Sequence, residues 1–139
     1  MVHTSRRVAA VVAVVAVVAV GLVAWSLSRS DDTSALPTRT VRAGEVEVTL
    51  TPLTLDTSGA VFRVALDTHT VPLDLDVAAS ARLRVNGTTA DGASWDGPGP
   101  GGHHREGTVR FTTPVPAGAA VELRITGLPA DAAASWTAP

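Results

Sequence analysis

Five short stretches of this chain alternate apolar and polar residues with a period of two, and that pattern limits the fold more than any other feature. Val46, Val48 and Leu50 alternate with Glu45, Glu47 and Thr49, and Phe62, Val64 and Leu66 lie on one face of the stretch that begins at Val61. Ala81, Leu83 and Val85 alternate with Arg82 and Arg84, Val109 and Phe111 with Arg110 and Thr112, and Val121, Leu123 and Ile125 with Glu122 and Arg124. Successive side chains of a strand point to opposite faces, so each stretch reads as a strand buried on one side. Leu73, Leu75 and Val77, alternating with Asp74 and Asp76, predict another, and Ala134 to Thr137 a short last one. Pro52 bends or breaks the first strand, and Asp56-Thr57-Ser58-Gly59 turns it into a hairpin with the second. Asn86-Gly87 is a second tight turn, since both residues tolerate a left-handed backbone. The predicted fold class is all-β: an immunoglobulin-like antiparallel β-sandwich of about six or seven strands, with a barrel as the alternative.

The apolar run from Val8 to Leu27 belongs to a different environment. About 20 helical residues span roughly 30 Å, the thickness of a bilayer core, and exceed the usual secretory apolar segment. Arg6 and Arg7 precede the run, and Arg29, Asp31 and Asp32 follow it, which places the N-terminus in the cytoplasm. The expected organisation is a cytoplasmic basic head over residues 1–7, one transmembrane signal-anchor helix over 8–27, a polar tether over 28–40 and an extracytoplasmic domain over 41–139. A cleaved signal peptide and a twin-arginine signal at Arg6-Arg7 are the alternatives.

Beyond Ser30 the chain carries eight Arg against thirteen Asp and Glu, a net charge of −5. An acidic domain without a basic stripe argues against a nucleic-acid partner. There is no Cys, which removes disulfides, thiolate metal sites, thiol nucleophiles and a lipid-modified cysteine. Packing and sheet hydrogen bonds alone must hold the domain.

The least ordinary segment runs from Trp95 to Gly107. Its density of Gly and Pro suits a long loop, expected from Asp91 to Gly107, and it holds His103, His104, Arg105 and Glu106. His69, beside Asp67, follows a strand end. If loops at one end of a sandwich brought His69, His103 and His104 together, they would suit zinc or copper(II), with Asp67, Asp91, Asp96 or Glu106 as oxygen ligands. The spacing is not a standard zinc motif. The competing reading is structural: His69 and His104 hydrogen-bond the loop backbone, His103 is solvent-exposed, and Trp95 plugs the end of the sandwich. Asp74 and Asp76 share the solvated face expected of their strand. Thr68, Thr70 and Ser94 lack a nucleophile-elbow context, and the Gly-rich run lacks the ending of a phosphate loop. No catalytic residue is assigned.

The combination Asp67-Thr68-His69, Trp95-Asp96-Gly97 and Gly101-Gly102-His103-His104-Arg105-Glu106-Gly107 resembles a group of small exported, membrane-anchored β-domain proteins of bacteria and archaea without an assigned function. The resemblance covers roughly residues 45–127. It implies a compact extracytoplasmic β domain and marks His69, Trp95, His103, His104 and Arg105, but it brings no activity. This chain departs from lipid-anchored members in having no Cys. The expected function is a non-enzymatic binding or interaction module for an extracytoplasmic protein, with a His-based zinc or copper domain as the alternative.

Overall fold

The computed structural model describes residues 35–90 and 92–139. The expected basic head and anchor lie outside these residues, as do residues 28–34 of the expected tether. Among the described residues no helix is long and apolar enough to cross a membrane.

Nine strands and one helical turn make up the described part: β1 (Arg39–Ala43), β2 (Val46–Asp56), β3 (Gly59–Asp67), α1 (Val77–Ser80), β4 (Ala81–Val85), β5 (Thr88–Ala90), β6 (Ser94–Asp96), β7 (His104–Phe111), β8 (Ala120–Ile125) and β9 (Ala132–Thr137). They form a five-stranded sheet in the order β1-β2-β3-β7-β6 and a four-stranded sheet in the order β5-β4-β8-β9. Every pairing is antiparallel. The fold is β-sandwich-like and richer in strands than expected. The additions are the short β5 and β6, and β1, whose first two residues fall within the expected tether.

The alternation does what the sequence demands. Val46, Val48, Leu50, Phe62, Val64 and Leu66 from one sheet and Leu83, Val121, Leu123 and Ile125 from the other are almost wholly buried in one core. Phe62 and Trp136 meet across it, with ring centroids 5.4 Å apart. The hairpin expected at Asp56–Gly59 is present, with Asp56 paired to Gly59. Asn86-Gly87 joins β4 to β5 with φ of 49° and 82°, the left-handed pair that a two-residue hairpin turn requires. Pro52 does not break β2. The register shifts between Pro52 and Thr54, and Leu53 is turned outward, 47% exposed.

Two expectations fail. Leu73, Leu75 and Val77 do not form a strand: residues 71–76 are irregular, and Asp76 caps α1 by accepting from the Ala79 amide at 3.1 Å. The long loop is shorter than expected, because Ser94–Asp96 is β6 and His104 to Gly107 belong to β7.

Antiparallel pairing sorts the connections between the two ends of the fold. At the lead-in end, Pro37 accepts a hydrogen bond from Trp136 Nε1 at 2.7 Å, and Val115 donates to Asp56 O at 2.8 Å. The opposite end carries the turn at Gly44, the segment after Asp67, the Gly97–His103 loop and the turn after Gly127.

Candidate functional site

The two segments singled out by the sequence meet at that opposite end, through backbone. β3 pairs with β7 as far as Asp67 and His104. Past that point the Thr68 amide donates to His103 O at 2.9 Å, the Leu73 amide to Gly102 O at 3.0 Å and the Gly101 amide to Leu73 O at 2.8 Å. The Thr68 hydroxyl, 5% exposed, accepts from the amides of Thr70 and Val71 and so turns the chain after Asp67.

Arg105 closes this clasp. It is 2% exposed, and it occupies an inward position of β7, where Val109 and Phe111 also point. Nη1 donates to the carbonyls of Leu73 at 3.0 Å and Leu75 at 2.7 Å, and Nη2 to that of Pro98 at 2.9 Å. Nε has no partner. One planar fork therefore ties two irregular segments to a strand. A compact ammonium cannot reproduce that geometry. Burying a cation is costly unless it is paired and hydrogen-bonded; here main-chain carbonyls accept from it.

Trp95 covers the guanidinium, whose Cζ lies 5.8 Å from the ring centroid, within cation–π range. Its Nε1 donates to Pro98 O at 2.9 Å, the same carbonyl that Arg105 uses. The indole lies against two glycines. A Cβ on Gly97 would fall 2.5 Å from Trp95 Cζ2, and one on Gly107 would fall 2.6 Å from Cη2. Thr68, Gly97, Gly107 and the carbonyls of Leu73, Leu75 and Pro98 are the parts that sequence reasoning missed. The Trp95-Asp96-Gly97 and Arg105-Glu106-Gly107 triplets were their visible trace.

Among the described residues no three His, Asp or Glu side chains gather into a group able to hold a metal ion; Asp91 lies outside the described residues. His104 opens β7 and binds Asp67 through Nδ1 at 2.5 Å, with both side chains more than half exposed. His103 precedes it in a bend and is exposed. His69 lies exposed in the bend after Thr68. Glu106 faces outward and pairs with Arg63 at 3.8 Å, away from the clasp.

The hydrogen bond from His104 to the Asp67 carboxylate, with the charge of Asp67 behind it, raises the imidazole pKa above its usual 6.5. A raised folded-state pKa gives stability that is fully present below about pH 6.5 and is lost as pH rises through the higher value. The stability difference between the protein and His104→Gln is therefore expected to be larger at pH 6 than at pH 8.5. Urea unfolding of both proteins at the two pH values checks this, and a difference independent of pH would contradict it.

No family model matches the chain, and no curated protein or solved structure shows a significant match.

Proposed function

We propose that this chain displays its β domain outside the cytoplasmic membrane, held by the apolar segment 8–27 as a single-pass anchor, and works there as a non-enzymatic binding module. The finer fold reading is immunoglobulin-like. Two antiparallel sheets of about 100 residues support it, with crossings between sheets after β3, β5 and β7. The observation that carries the functional reading is the clasp. A buried guanidinium fixes the shape of the end of the domain opposite Pro37, and a preformed, rigid surface loses less free energy on binding than a mobile one.

The chain has no Cys, so one introduced thiol is unique. Gly99 suits it, since a Cβ there meets nothing within 4 Å. Gly99→Cys should react with a membrane-impermeant maleimide in intact cells. The same thiol carrying a photo-activated cross-linker should give a discrete adduct that Ala117→Cys, at the lead-in end, does not. Labelling only after lysis would contradict the extracytoplasmic placement. Identical adducts from both positions, or none from Gly99→Cys, would contradict binding at the clasp end.

A further inference from the structure

Arg105 holds the carbonyls of Leu73 and Leu75, and Gly101 and Gly102 hold Leu73 from the neighbouring loop. The stretch fixed in this way is more than packing. Val71, Pro72, Asp74 and Leu75 line one side of an open groove of about 320 Å³, which Leu128 and Pro129 also line. Val71, Leu75 and Leu128 are half-buried, whereas Pro72 and Pro129 are exposed. The turn at Gly44 lets the groove take this form: its φ is +67°, and a Cβ there would fall 2.8 Å from Pro129 Cβ. The groove lies at the end opposite Pro37.

The side chains that line it are apolar except for Asp74, with polar atoms exposed among them. Among the described residues no Arg or His lines it. Apolar walls with a fixed negative charge and no positive one select an apolar group beside a cation, and they repel an acidic one. We infer that this groove is the docking surface for an extended segment of a partner protein in which an apolar side chain stands next to Lys or Arg. Arg105 is then a positioning residue: it never touches the partner but holds the Leu73–Leu75 side of the groove in place.

The inference rests on the binding-module reading, and its test is separate. The probes are acetyl-Leu-Arg-Leu-amide and acetyl-Leu-Glu-Leu-amide, titrated into the full chain in uncharged detergent, with the methyl resonances of Val71, Leu75 and Leu128 observed. The Arg peptide should shift all three in a saturable way and the Glu peptide should not. Asp74→Asn should weaken the Arg peptide roughly threefold, the size of an exposed ion pair. Pro129→Arg, a change at an exposed position, should abolish the response while leaving the melting temperature in place. No shift at millimolar peptide, or equal shifts from both peptides, overturns the inference. Shifts that depend on protein concentration without peptide also overturn it, in favour of a second copy of the chain. A clasp-end cross-link without a peptide response would overturn the groove and leave the binding module standing.

Discussion

Arg105→Met should unfold this domain far more easily than any surface substitution, with a loss of about 3–5 kcal/mol. The wild-type guanidinium supplies donors to Leu73, Leu75 and Pro98. Methionine fills much of the volume but leaves those acceptors without Arg105. Replacing both partners of a buried polar contact by apolar groups can be nearly neutral, yet carbonyls cannot be replaced, so here only the cost remains. The melting temperature should fall by more than about 12 °C for a domain of this size. Arg105→Lys keeps the charge but cannot bridge both segments at once, and it should retain roughly half of the lost stability. Thermal unfolding of the three proteins side by side checks both expectations. A loss under about 1 kcal/mol for Arg105→Met, the scale of an ordinary surface change, would remove the clasp from the account.

Gly107→Ala should cost about 2–3 kcal/mol although it adds a single methyl group. The new Cβ would sit 2.5 Å from Asp96 O and 2.6 Å from Trp95 Cη2. The first contact is with backbone of the paired strand β6 and cannot be relieved by a side-chain rotation. Either β6 moves away from β7 or Trp95 leaves the face of Arg105. Gly99→Ala provides the contrast: a Cβ there meets nothing within 4 Å, so the change should stay within about 0.5 kcal/mol. Denaturant midpoints of the two variants should differ clearly, and equal midpoints would mean that the glycine at 107 has no packing role.

The same residue explains where the sequence could be read and where it could not. Strands β2, β3, β4 and β8 announce themselves because each inward position is aliphatic or aromatic. The start of β7 does not, because its first inward residue is Arg105 and Gly107 lies against Trp95. A strand whose core-facing side carries a guanidinium and a glycine looks like a loop. The opposite error arose at Leu73–Val77. Leu73 and Val77 are buried and Leu75 is half-buried, so an irregular segment lying on the core imitates the period of a strand. Its carbonyls serve Arg105 rather than a ladder. The signal that separates the two was Asp76, an N-cap residue ahead of Val77-Ala78-Ala79. Placing loops at one end of a sandwich made the meeting of the Asp67–Thr70 corner with the Gly-rich loop a question the sequence could pose. Its chemistry was not legible, since sequence marks the imidazoles and not the main-chain atoms that make the contact.

Arg105 locks two irregular segments into one cooperative unit with the sheets. Amide hydrogen exchange tests this most directly, because local opening free energies separate a fixed loop from a mobile one. The amides of Thr68, Leu73 and Gly101, which donate across the clasp, should exchange nearly as slowly as that of Val64 in the wild-type protein. In Arg105→Lys they should exchange much faster, while Val64 slows or quickens only with global stability. Rapid exchange at Leu73 and Gly101 in the wild type, alongside a protected β3–β7 ladder, would contradict the claim.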